Sequence, residues 1–214
     1  MVVARTILRP GGYSITAVAL TGANGVRTCH PSPVVFVMSI PSSTTQLDAT
    51  PAAATHVATF GAGYFWGVEQ IFSRQRGVLA TSVGYMGGTV PNPSYELVCT
   101  DTTEHAEVVQ VTYDPSVIPY TALIDVFWHL HDPTHVDRQG PDVGRQYRSV
   151  VFTHDAEQTR IATETKAAID ASRKLRKPVA TEIIPATTFW TGEQYHQRYF
   201  DRRGVDGCHL YPAW

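Results

Sequence analysis

Cysteine is scarce in this chain: three residues in 214, at Cys29, Cys99 and Cys208. An odd, widely spaced set cannot form a disulfide framework, and no Cys-x-x-Cys or Cys/His cluster has the spacing of a metal site. The set fits a reducing, cytoplasmic compartment. Long apolar runs are also missing. The stretch Val34-Val35-Phe36-Val37-Met38 is too short to span a bilayer. Arg5 and Arg9 precede a weak apolar segment, Ile15 to Leu20, with no clear cleavage site after it, which makes a poor secretory signal. Charge of either sign is modest. With 17% charged residues and a net charge of −2, the chain lacks the basic face that a nucleic acid or membrane surface would require.

What is present suits a globular protein of one domain with some excess length: 43% of the 214 residues are hydrophobic. Residues 1–55 are rich in Ser, Thr, Ala, Pro and Gly and read as a disordered extension, with Met38 as an alternative start. Order is expected over 56–200, and 201–214 reads as an irregular tail. Val57 to Phe60 reads as a strand ended by Gly61-Ala62-Gly63, and a helix pattern starts at Phe65. Strands follow at 78–85, 107–113, 148–153 and 179–184, with helices over 119–130 and 155–175. This order predicts an α/β (α+β) fold, a two-layer sandwich of helices on a mixed, ferredoxin-like sheet. Two long loops, 89–106 and 131–147, have the length and polarity of functional loops.

Three segments carry candidate chemistry. Gly61-Ala62-Gly63-Tyr64-Phe65-Trp66-Gly67 places residue 64 at a strand-to-helix turn, beside the positive end of a helix. The bland alternative is a glycine turn before a core Phe-Trp pair. Glu107 opens an apolar strand; facing inward it would hold its proton and serve as an acid, and facing outward it would be an ordinary surface carboxylate. The polar loop 139–148 carries Asp142 and Tyr147, which could reach a ligand or could belong to a solvated Ω-loop. The histidines form no metal pattern.

Together these segments resemble the A class of peptide methionine sulfoxide reductases. The matching stretches include Ala62-Gly63-x-Phe65-Trp66-Gly67-Val68-Glu69, Gly84-Tyr85, Gly87-Gly88, Pro91-Asn92-Pro93-Ser94-Tyr95 and Val98-Cys99. They continue through His105-Ala106-Glu107-Val108, Tyr113-Asp114-Pro115, His131-Asp132-Pro133, Arg138-Gln139-Gly140-x-Asp142-x-Gly144 and Gln146-Tyr147-Arg148-Ser149. They run in order over about two thirds of the chain. The resemblance implies that Phe65 and Trp66 hold the S-methyl group, that Glu107 protonates the sulfoxide oxygen, that Tyr95 and Tyr147 hydrogen-bond it, and that Asp142 supports the site. It also implies that Tyr64 stands where the family carries its attacking cysteine.

A phenol cannot take up the oxygen and be recycled as a sulfenic acid can. The expectation is therefore a repurposed non-redox enzyme that isomerises, dehydrates or cyclises a small molecule, with Tyr64 and Glu107 as catalytic groups and no cofactor. Two alternatives stand beside it. Reductase activity is retained through Cys99 or Cys208, with a thioredoxin-type reductant, or the pocket binds a sulfoxide-bearing ligand and catalyses nothing. Glu104, where the family usually has glycine, is expected to raise the pKa of Glu107 or alter access. Cys99 is expected to be a buried small side chain.

Overall fold

The structure, a computed structural model, describes residues 2–9, 13–20 and 54–207. The chain divides into two compact units, Met1–Asp48 and Ala49–Trp214. The first contains an antiparallel hairpin of β1 (Val2–Arg9) and β2 (Tyr13–Leu20), paired from Val2↔Leu20 to Arg9↔Tyr13. It stands where the composition suggests an unstructured extension. Both strands are rich in β-branched residues, which favour extended backbone. Met38 and the apolar stretch at 34–38 lie outside the described residues.

The second unit begins with β3 (His56–Ala62), α1 (Phe65–Ser73), β4 (Val78–Met86), α2 (Tyr95–Val98) and β5 (Ala106–Tyr113). It continues through α3 (Tyr120–His129), the two-residue strands β6 (Arg138–Gln139) and β7 (Asp142–Val143), a 3-10 turn at Arg145–Tyr147, β8 (Ser149–Thr153) and α4 (Ala156–Ser172). It closes with β9 (Glu182–Pro185), β10 (Trp190–Thr191) and α5 (Tyr199–Arg203). Six strands form one mixed sheet in the order β10-β4-β5-β3-β8-β9. β8 and β9 are parallel, and the other neighbours are antiparallel. β5 is inserted between β3 and β4, so the unit β3-α1-β4 is a split βαβ crossover. The α/β sandwich expected from the order of elements is therefore present.

Side chains alternate across each strand, so the two faces of the sheet can be read from sequence parity. Val109, Val111 and Tyr113 of β5 join Phe60, Phe72, Leu123, Phe127 and Ile161 in the main core, on the side covered by α1, α3 and α4. The opposite parity, Ala106 and Val108, joins Met86, Val150 and Phe152 in a smaller core. Glu107 shares parity with Val109, so its carboxyl is delivered to the main-core side rather than to solvent.

Several boundaries differ from the sequence reading for local reasons. α4 is capped by Asp155, whose side chain accepts from Gln158 N at 2.7 Å, as its position suggests. It ends at Ser172 because Arg173 adopts φ +56°, a left-handed turn out of the helix. β9 starts late because the amides of Val179 and Ala180 donate instead to Asp170 Oδ1 and to the Pro133 carbonyl, both at 2.8 Å. The loop at 89–106 holds α2, and α5 crosses residue 200 into the segment expected to be irregular. Among the described residues, no helix is long and apolar enough to cross a membrane.

Phe60 is fully buried and stacks on Phe72 at 4.9 Å and on Phe127 at 5.2 Å. Replacing it by alanine should cost ~3–5 kcal/mol in urea unfolding, from lost transfer energy plus an uncollapsed cavity. Leu79→Ala, at a side chain 57% exposed, should change stability by no more than about 0.5 kcal/mol.

Candidate active site

Gly63, with φ +92°, turns the chain from β3 into α1 and leaves Tyr64 as the N-cap residue of that helix. Added bulk at Gly63 would meet the Gln139 side chain at 2.8 Å, so the turn is closed by the β6 loop as well. The first amides of α1 have no partner within the helix. One of them, Phe65 N–H, donates to Glu107 Oε2 at 3.1 Å. Glu107 is 1% exposed, and its second oxygen, Oε1, has no hydrogen-bond partner among the described residues. Burial pushes this carboxyl up to about 8, with a further push from the charge of Asp142; the Phe65 amide only partly opposes them. Near neutral pH Glu107 is therefore mostly a neutral acid with a proton to give.

A cavity of about 360 Å³ opens in front of it, lined by Tyr64, Phe65, Trp66, Tyr95, Glu107, Asp142, Tyr147 and Phe200. All seven residues singled out in the sequence meet here, and Phe200 is added. Burial and the nearby Glu107 push the Tyr147 phenol up to about 12. Tyr95 is pushed above the usual phenol range by burial first, then by its hydrogen bond with Cys99 and the charge of Glu107. Both therefore remain hydroxyl donors at physiological pH.

The aromatic wall is braced from behind. The Trp66 ring stacks on Tyr199 at 3.9 Å, and its Nε1–H donates to His196 Nδ1 at 3.0 Å. Tyr64 packs edge-on against Trp66 at 6.5 Å and Phe200 at 6.4 Å. Glu193 ties the helix bearing Tyr95 to strand β4. Its Oε1 accepts from Tyr95 N at 2.8 Å and its Oε2 from the Tyr85 hydroxyl at 2.8 Å. Neither Glu193 nor Phe200 was evident in the sequence reading. The one available signal was the density of aromatic and polar residues in Glu193-Gln194-Tyr195-His196, inside a tail with no helical or strand period.

The two long loops are latched to each other. Arg145 N–H donates to Asp101 Oδ1 at 3.0 Å, and its guanidinium pairs with Glu104 at 3.2 Å. The structure corrects the expectation that Glu104 raises the pKa of Glu107: Glu104 is exposed and engaged by Arg145, and the carboxylate acting on Glu107 is Asp142. Residue 104 has φ +63°, a left-handed conformation that glycine adopts without strain. Cys99 is corrected too. It is exposed, not buried, and sits one helical turn after Tyr95, its amide bonded to the Tyr95 carbonyl at 2.9 Å. Residues i and i+4 share a helix face, so the thiol lies beside the Tyr95 ring. Partial desolvation of the sulfur, then the carboxylates of Glu107, Glu96 and Glu193, push this thiol up, against the pull of the Tyr95 hydrogen bond. Cys208 and Cys29 lie outside the described residues. Among the described residues, no three metal-ligating side chains cluster.

The raised pKa of Glu107 has a signed consequence for stability. An unfolded glutamate loses its proton near pH ~4.3, whereas folded Glu107 keeps it to about 8. Between those values the folded state binds more protons, so this group's contribution to stability falls as pH rises. In urea unfolding from pH 5 to 8.5, wild type should lose stability relative to Glu107→Gln. Parallel curves for the two proteins would show that Glu107 is ionised in the folded state.

Comparison with known proteins places this geometry. The family described as peptide methionine sulfoxide reductase matches residues 56–213. A curated peptide methionine sulfoxide reductase MsrA from Methanoculleus marisnigri is 57% identical over 158 residues, 74% of this chain and 96% of its own length. Mxr1 from Saccharomyces cerevisiae in reduced form superposes with a TM-score of 0.68 at 33% identity, covering 75% of this chain and 94% of the other. Mxr1 in complex with Trx2 matches with a TM-score of 0.50 at 25% identity, covering 74% and 89%. These findings overturn the expectation of a non-redox enzyme built on Tyr64 and Glu107: a chain more than half identical along nearly its whole length carries a reductase name. The chain belongs to the peptide methionine sulfoxide reductase family.

Proposed function

We propose that this protein is a peptide-methionine (S)-S-oxide reductase, working in the cavity in front of Glu107 with a cysteine other than residue 64 as its redox sulfur. The observation that carries the reading is the buried, proton-bearing Glu107 with one unpartnered oxygen, set among two phenol donors and an aromatic wall. A sulfoxide has a strongly polar S–O bond beside an apolar methyl group, and the cavity is divided in the same way. Tyr95 and Tyr147 donate to the sulfoxide oxygen, Glu107 supplies its proton, and Asp142 helps keep Glu107 protonated. Phe65, Trp66 and Phe200 take the methyl side.

By motif match Tyr64 occupies the family's cysteine position, and a phenol cannot carry the oxygen reversibly. The oxygen therefore passes to a thiol elsewhere. Cys99 is the candidate that the described residues set beside the cavity: its sulfur is hydrogen-bonded to Tyr95, which lines it. In the step proposed, the substrate sulfur leaves as a thioether and the cysteine sulfur becomes a sulfenic acid. A second thiol then condenses with it, releasing water and forming a disulfide, and an external dithiol returns two electrons to restore the thiol. A thioredoxin-type protein is the natural dithiol, in line with the Mxr1–Trx2 complex, and a reducing cytoplasm is the matching compartment.

Dithiothreitol-dependent reduction of a methionine sulfoxide peptide tests this reading. Wild type should turn over slowly, Cys99→Ser should lose that turnover, and Cys208→Ser should keep it. Tyr64→Cys should gain about 100-fold, the factor that a displaced reacting atom commonly costs. Loss in Cys208→Ser with retention in Cys99→Ser would put the redox sulfur in the tail. An inert wild type beside an active Tyr64→Cys would contradict the reading and leave a sulfoxide-binding protein.

A further inference from the structure

Beyond the sulfoxide cavity, the turn after α4 holds a second cavity of about 370 Å³. Three cations line it, Arg173, Arg176 and Lys177, over a floor that includes Ile169, Leu175 and Pro178. Lys174 stands exposed on the same turn. The segment is pinned at both ends. Asp170 Oδ1 accepts the Val179 amide at 2.8 Å, Val179 is buried, and Leu175 packs on the main core. The cations therefore project from a fixed loop.

Several exposed arginines elsewhere in the unit are matched to carboxylates: Arg74 with Asp206, Arg145 with Glu104, Arg160 with Glu157 and Glu164, and Arg198 with Asp201. Arg138 and Arg202 hold backbone carbonyls, Arg203 lies over the Tyr199 ring, and Arg76 has no side-chain partner among the described residues. None of the four cations at 173–177 has a side-chain partner among the described residues. Asp170, the carboxylate that also lines the cavity, is engaged by the Val179 amide, and the cavity stays net positive with it counted. The C-terminal dipole of α4 accounts for a cation at Arg173, the cap residue. Its field falls off within the last turn and does not account for Arg176 and Lys177. Arg173 itself sits at φ +56°, where glycine would be unstrained.

We propose that this cavity is a binding site for a small oxyanion of two or more charges, a phosphate ester or pyrophosphate. Two guanidinium forks and one ammonium suit phosphate oxygens. The volume lies at the lower end of the range for small-ligand sites, and the apolar floor accepts a short hydrocarbon or ring portion. The site is separate from the chemistry of Glu107 and does not depend on the reductase reading.

The test is an amide NMR titration of the full chain with inorganic pyrophosphate. Saturable shifts confined to about residues 169–179 are expected, weakening as salt rises. Arg176→Glu with Lys177→Glu should weaken binding by about tenfold or more, the loss expected when charged donors are removed. Arg176→Gln provides a milder variant, and circular dichroism checks that both variants keep the fold. Absence of saturable shifts at millimolar pyrophosphate would overturn the proposal. So would binding of a single-stranded oligonucleotide without binding of pyrophosphate, which would mark an extended polyanion surface in place of a pocket.

Discussion

Glu107 Oε2 accepts the first amide hydrogen of α1, and that bond joins the middle of the sheet to the helix that opens the pocket. It places a carboxyl where desolvation favours the neutral acid, with one oxygen left for a ligand. Everything else in the cavity is arranged around that group. Its ionised form, present only at higher pH, opposes loss of the phenol protons of Tyr95 and Tyr147, and Asp142 adds to the pressure against that ionisation. A dry carboxylic acid flanked by hydroxyl donors is costly to maintain. It is useful to a reaction in which an oxygen must be protonated as it leaves sulfur.

The supports come from widely separated parts of the chain. Glu193, almost a hundred positions from Tyr95, fixes the short helix α2 by its first amide and holds the Tyr85 hydroxyl with its other oxygen. The Arg145 contacts to Asp101 and Glu104 keep the loop bearing Asp142 and Tyr147 against the loop that follows Cys99. Exposed ion pairs are each worth little. Here the backbone bond to Asp101 acts with the ion pair, and together they set the register of two loops rather than adding bulk stability.

Much of this was legible in the sequence where a period or a cap carried it. The alternation of 107–113 marked β5 but left the face of Glu107 open, Asp155 marked the start of α4, and the helix patterns from Phe65 and over 119–130 matched α1 and α3. The in-order motifs resembling the reductase family brought together seven of the eight residues that line the cavity. What escaped had no period. β10 is two residues long and α5 is five, so Phe200 and Glu193 could not be placed. The exposure of Cys99 depends on the end of a four-residue helix, and the engagement of Glu104 depends on an arginine 41 positions away. The non-redox expectation failed for another reason. It let one side chain, Tyr64, outweigh family motifs that run in order through the rest of the domain.

The most direct measurement is a single turnover without reductant. The fully reduced chain is mixed with excess methionine sulfoxide peptide, and both the peptide and the intact protein are weighed by mass spectrometry. The account predicts up to one methionine peptide per chain, with a matching oxidation of the protein that maps to a cysteine. No methionine peptide, with every cysteine still reduced, would contradict it.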